Sequence, residues 1–156
     1  MARITMADRL VESAEQLLES RPRSATFRRR AISSAYYAVF HALAQMCADV
    51  FLPDSKSEEE ILRIYRALDH GQLRTALIHS SLKTHTQFGR ISTSVVELQQ
   101  ERHRADYLPP DVGLFPLEDA KALVERAKLV VSEIRNMDVD HRRLLATHIL
   151  FKERKS

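Results

Sequence analysis

Apolar residues recur at helical spacing along almost the whole chain, and the longest such pattern runs without Pro or Gly from Ser24 to Leu52. Ile32, Tyr36, Val39, Phe40, Leu43, Cys47 and Val50 lie within roughly 60° of one line at about 100° per residue, which predicts a long central helix with one buried stripe. A neighbouring strip holds Arg30, Ser34, Tyr37, His41, Ala44 and Ala48. It is polar at one end and small at the other, so this helix has either two buried faces or one buried and one working face.

The same reading places a first helix from the cap Thr5 to about Ser20, with Leu10, Ala14, Leu17 and Leu18 inward, ended by Arg21-Pro22-Arg23. Ser24 caps the central helix, and Phe51 to Asp54 closes it. Ser57-Glu58-Glu59-Glu60 has the form of a capping box and opens a third helix with Ile61, Leu62, Tyr65 and Leu68 apolar. Gly71 reads as its stop. A shorter helix over about Leu73 to Leu82 leads to a loop from Lys83 to Gly89. Ile91 to about Leu108 is a second long helix, ended by Pro109-Pro110. Beyond a loop through Gly113, a helix runs from Pro116-Leu117 to about Asn136, with Ala120, Leu123, Val124, Ala127, Val130, Val131 and Ile134 inward. Asp138 or Asp140 caps a last helix ahead of a charged tail. With no strand pattern or repeat, the reading is an all-α antiparallel bundle of about five main helices plus one or two short ones. The 156 residues make one domain, its core over about 5–135 with an extra C-terminal helix over about 138–154.

Composition narrows the class. Hydrophobic residues make up 44%, charged residues 29%, and there are only three Gly and five Pro, which suits a packed helical protein. The single Cys47 lies on the apolar stripe and reads as a reduced core thiol. No run is long enough to span a membrane, and Met1 to Thr5 lacks the apolar core of a leader, so a cytoplasmic location is expected. Net charge is only +3 because 24 basic residues face 21 acidic ones. This permits an anionic partner without demanding one.

Candidate chemistry is densest near the end of the second long helix. Its core stripe, Ile91, Val95, Leu98, Arg102 and Ala105, contains an arginine. A permanently charged guanidinium on a buried face needs acceptors, and Asp106, one turn on, is the nearest. His103 and Tyr107 form a second one-turn pair, while Glu101 and Arg104 point outward as an ion pair. One account makes Arg102 and Asp106 a structural pair. The other makes Arg102, Asp106 and Tyr107, with His103, Tyr37 and His41, the lining of a pocket for a phosphate or base. Arg28, Arg29 and Arg30 sit where the helix dipole prefers acids, and read either as a solvated run or as an invitation to an anion. No metal-ligand spacing stands out, and no cofactor is implied.

Ala35-Tyr36-Tyr37-Ala38-Val39-Phe40-His41-Ala42, then Arg66-Ala67-Leu68-Asp69-His70-Gly71, then Leu98 to Tyr107 with Glu101-Arg102-His103-Arg104-Ala105-Asp106-Tyr107, resembles the prokaryotic HEPN domains over about residues 5 to 135. The likeness is to the branch with Ala-Tyr-Tyr-Ala and Arg-x-x-Ala-Asp-Tyr. It implies a helical bundle, often a homodimer, acting on nucleotides or RNA in toxin–antitoxin, stress or defence systems, at times beside a nucleotidyltransferase partner. Many members are metal-independent ribonucleases using an Arg followed by a His. Aligned on Tyr107, that motif is missing, with Gln100 at the Arg and Ala105 at the His. Arg63 to His70, Arg74 to His79, Arg135 to His141, and Arg142 or Arg143 to His148 match it literally elsewhere, somewhat more often than chance gives, which is weak evidence; Arg135 to His141 is the most motif-like.

The preferred expectation is therefore a nucleotide- or RNA-binding module, with Tyr37, His41, Arg102, Asp106, Tyr107, Arg28, Arg29 and Arg30 as ligand contacts. The first rival is a metal-independent endoribonuclease with His103, Arg102 and Arg104 as catalytic groups. The second is a non-catalytic helical scaffold using the Tyr37 strip as a dimer or partner interface.

Overall fold

The computed structural model describes residues 4–54, 57–110 and 114–152, and is all-helical over them. The chain runs through α1 (Met6–Ser20), α2 (Ala25–Phe51), α3 (Glu58–Ala67), α4 (His70–Ile78), the single turn α5 (Ser80–Lys83), α6 (Gly89–Tyr107), α7 (Leu117–Arg135) and α8 (Val139–Leu150). Met1 to Arg3, Gly113 and the tail from Glu153 lie outside the described residues.

Helix α2 is the axis. Buried positions lie nearly all round it, including Ala31, Ile32, Ala35, Tyr36, Val39, Leu43, Ala44 and Cys47. Its many alanines let α1, α6 and α7 approach closely, while α3 and α8 cover its C-terminal half. Ala44 and Ala48 of the second strip are buried, whereas Ser34, Tyr37 and His41 are half-buried. That strip changes from site-like to core-like along one helix.

The caps explain most boundaries. Thr5 accepts from the Asp8 amide while Asp8 reaches back to the Thr5 amide, a complete capping box. Ser24, Ser57, Asp69 and Asp138 cap α2, α3, α4 and α8 in the same sense. Asp69 corrects the sequence reading of Gly71. Extended backbone at Leu68 and Asp69 ends α3, and Gly71 falls in the first turn of α4. A Cβ at Gly71 would come within 3.2 Å of the capping carboxylate, so the glycine makes room for a cap and does not end a helix. Two further shifts are small: Ser80–Lys83 forms a separate turn, and α6 opens at Gly89. Leu62, placed with the apolar residues of α3, is largely exposed.

Leu108, Pro109 and Phe115, between α6 and α7, are held by arginines. Phe115 has φ 55°, left-handed backbone that is costly for a bulky residue, yet its ring is buried. Arg28 Nε donates to its carbonyl at 2.9 Å, and the guanidinium carbons of Arg29 and Arg104 lie 5.9 and 5.4 Å from its ring centroid.

Candidate functional site

The end of α6 stands between two grooves. The larger, about 820 Å³, lies between α1, α2 and the last turn of α6; Arg30, Ser34, Tyr37 and His41 of α2 face Ala105, Asp106 and Tyr107 across it. Met6, Leu10 and Leu17 of α1 form its apolar wall. The smaller, about 520 Å³, opens between α4 and α6 and is lined by His70, Arg74, Gln100, Arg102 and His103 among others. Thus Tyr37 and His41 do share a groove with Asp106 and Tyr107, while His103 faces the other one.

Arg102 forms the partition. Its side chain is 13% exposed, and the guanidinium carbon lies 5.2 Å from the Tyr36 ring centroid and 5.8 Å from that of Tyr37. Asp106 is 3.7 Å away, an ion-pair contact beyond hydrogen-bond reach, and Arg102 Nε is buried without a hydrogen-bond partner among the described residues. Two aromatic faces, more than the carboxylate, therefore accommodate this charge. A T-shaped contact between Tyr36 and Tyr37, with centroids 5.4 Å apart, holds those faces in place.

Beneath Arg102 lies a polar network absent from the sequence-based site. The Tyr36 hydroxyl is 2.6 Å from His70 Nδ1, and Gln99 Nε2 donates to both the Tyr36 hydroxyl at 3.2 Å and the His70 carbonyl at 2.8 Å. The hydroxyl can accept from Gln99 and donate to His70 Nδ1 at the same time, and in that arrangement the imidazole carries its proton on Nε2. Burial lowers the His70 pKa, reinforced by Arg102 and opposed by Asp69, and burial pushes the Tyr36 hydroxyl up to about 12. Both groups are neutral at physiological pH. Phe40 stacks on the His70 ring at 4.4 Å. In the sequence Tyr36 reads as core and His70 as a helix-end histidine; the available signal was Gln99, an amide on the buried side of α6 three residues before Arg102.

His41 lines the larger groove and also a separate cavity shared with Tyr65, the two rings lying 5.9 Å apart between centroids. Burial lowers its pKa, and its Nδ1 is buried without a partner among the described residues. His103 and Tyr107 do pair, with centroids 4.8 Å apart on the exposed ridge of α6. Glu101 and Arg104 also pair, at 2.8 Å, but more buried than a solvated pair would be because Arg104 leans over Phe115.

The three consecutive arginines separate. Arg28 is buried and spends its donors on the Phe115 and Pro22 carbonyls. Arg29 donates to the carbonyls of Ala105, Leu108 and Pro109 at 3.1, 2.5 and 2.8 Å, occupying the negative end of the α6 dipole. Arg30 is exposed on the rim of the larger groove. The unfavourable position of Arg28 and Arg29 at the start of α2 is thus offset by carbonyls of neighbouring segments, and Arg30 alone of the three is turned to the groove.

Arg135 and His141 are engaged apart from each other. Arg135 meets the Asp8 carboxylate and the Thr5 hydroxyl, both at 2.6 Å, and His141 Nδ1 meets Asp138 at 2.5 Å. Among the described residues, no group of three or more His, Cys, Asp and Glu side chains is arranged to hold a metal ion, and no helix is long and apolar enough to cross a membrane.

A family model described as HEPN domain matches residues 1–137 of this chain. No curated protein and no solved structure matches it.

Proposed function

Since the chain belongs to the HEPN domain family, whose members generally act on nucleotides or RNA and often serve toxin or defence systems, we propose that its larger groove binds a nucleotide or a short stretch of RNA. The observation that carries this reading is the convergence of Tyr37 and His41 of α2 with Asp106 and Tyr107 of α6 on one groove. Tyr107, 68% exposed, and the half-buried Tyr37 offer ring faces for a base. Asp106 can accept from a base edge or a ribose hydroxyl, and Arg30 supplies a rim cation for phosphate.

The reading we favour is one of binding, with cleavage as its rival. Metal-free RNA cleavage needs a base, an acid and a cation around one phosphate. Arg102, His103 and Arg104, the residues considered for that task, all line the smaller groove, where Arg104 is held by Glu101 and Phe115 and Arg102 lies on two tyrosines, so a nuclease there is the second reading. The setting we favour is a toxin–antitoxin, stress or defence system with a nucleotidyltransferase partner. The chain would work as a homodimer.

Titration with short RNA and with mononucleotides at several salt concentrations tests the binding. Saturable binding to either, weakening as salt rises, is expected. No binding at low ionic strength overturns the reading. Cleavage of structured RNA in EDTA that is lost in His103→Ala would establish the nuclease instead.

A further inference from the structure

We propose that the smaller groove between α4 and α6 is a separate phosphate-binding site, in which Arg74 and Arg102 supply charge and His103 and the Nε2–H of His70 supply hydrogen-bond donors. The proposal rests on the nucleotide or RNA reading only for its biological ligand; the anion chemistry belongs to the groove itself. No carboxylate lines it, in contrast to the larger groove with Asp106. Arg74 is exposed on α4. Arg102 is fixed by the two tyrosine faces, so little side-chain freedom is lost when it meets an anion.

The Tyr36 network gives His70 a defined direction. Nδ1 is engaged by the Tyr36 hydroxyl, which leaves Nε2 as the ring nitrogen that can donate to a ligand, and Gln99 anchors the backbone carbonyl of the same residue. A neutral imidazole presenting N–H beside two guanidinium groups suits a phosphate oxygen, whereas a cation at that position would repel both arginines. Gln100 adds a neutral amide to the lining.

The two grooves adjoin through α6. Residues 102 and 103 line one and residues 105 to 107 the other, and Arg102 and Asp106 are one turn, about 6 Å, apart along the helix. A base held by Tyr37 and Tyr107 therefore leaves a neighbouring phosphate within reach of the smaller groove. That phosphate is either the next phosphodiester of an RNA strand or the outer phosphate of a nucleotide.

The test uses the full chain. Inorganic pyrophosphate is titrated while the imidazole signals of His70, His103 and His41 are followed by NMR. Saturable shifts at His70 and His103, with His41 unmoved, are expected, and Arg74→Ala should weaken them about tenfold. Arg66→Ala, which removes the same charge from the exposed surface of α3, should not. Shifts that never saturate, or equal effects of the two variants, overturn the proposal. Binding of an RNA lacking terminal phosphates and of a nucleoside triphosphate is then compared in both variants. Weakening of RNA by Arg74→Ala, with a salt slope shallower by about one contact, identifies the phosphodiester. Weakening of the triphosphate alone identifies the terminal phosphate. Loss of neither overturns the ligand assignment. Pyrophosphate binding without any RNA or nucleotide binding would leave this site standing while the reading of the larger groove falls.

Discussion

The Tyr36 hydroxyl lies 2.6 Å from Nδ1 of His70, and this one contact joins the middle of α2 to the first turn of α4. Gln99 closes the link from α6. Three helices thereby meet on a single phenol oxygen directly beneath the aromatic faces that carry Arg102. Polar atoms buried in this way fix relative helix positions more narrowly than apolar packing does, because a shift of one side chain leaves its partners unsatisfied.

Tyr36→Phe keeps the ring and removes the oxygen. His70 Nδ1 loses its hydrogen-bond partner and Gln99 Nε2 keeps only the His70 carbonyl, so the substitution should cost about 1–3 kcal/mol in urea unfolding. The m-value should stay unchanged. A cost near zero would show that water takes the place of the hydroxyl.

Stability should fall as pH drops from about 7.5 to 5.5. His70 and His41 both have lowered pKa values in the folded chain, chiefly through burial. Below the ordinary histidine value near 6.5 the unfolded chain takes up protons that the folded chain refuses, so unfolding gains on acidification. The urea midpoint should decline across that interval, and the decline should shrink in His70→Asn and in His41→Asn. Asp8, Asp69 and Asp138 act in the same direction but lower, as their depressed pKa values are passed in stronger acid. A midpoint flat between pH 7.5 and 5.5 would contradict the burial argument.

Arg29→Met should destabilise the last turn of α6. Three carbonyls at the negative end of that helix lose their common donor, a change of about 1–3 kcal/mol for charge-assisted hydrogen bonds. Hydrogen exchange should accelerate first around residues 104–108. If Arg29 served phosphate contact alone, RNA affinity would fall with exchange unchanged.

The helices were legible because their signals are local. Each of Thr5, Ser24, Ser57 and Asp138 caps a helix as its sequence position suggests, and apolar periodicity sorted the α7 stripe residue by residue. Gly71 misled because a glycine at the start of one helix looks, in one dimension, like the end of the previous one. The site was legible in part: the faces of α2 and α6 predicted that Tyr37, Asp106 and Tyr107 would be available, and they share a groove. What periodicity cannot supply is the rotamer of a long arginine. Arg28 and Arg29 turn back to carbonyls 70 to 90 residues away in sequence, and Arg102 lies flat on tyrosines instead of bonding Asp106. The Tyr36–His70–Gln99 network likewise depends on separations of 34 and 63 residues.

Arg135→Gln should loosen the chain ends without touching any RNA function. Its guanidinium ties the start of α1 to the end of α7 through Asp8 and Thr5 on the surface, so the loss should be modest, up to about 1 kcal/mol, and smaller at high salt. Since protonation of Asp8 removes the same pair, the variant and the parent should converge in strong acid. Loss of RNA binding or cleavage in this variant would instead give the Arg135 to His141 spacing a functional meaning.

Tyr37→Arg separates the two uses of the larger groove. The new guanidinium would stand against Arg102, whose charge now rests partly on the Tyr37 ring, and it would also remove a ring face for a base. If the groove is a solvent-facing binding site, affinity for short RNA should drop about 10- to 100-fold, the scale of one lost base stack, while sedimentation at low and high protein concentration stays as in the parent. If a second copy covers the groove, two such cations would face each other or the partner's apolar wall, and the dimer should dissociate at both concentrations. A groove formed jointly by two copies would lose both properties together. An unchanged RNA affinity with unchanged sedimentation would remove Tyr37 from the site and leave Tyr107 as the remaining aromatic contact on that side of α6.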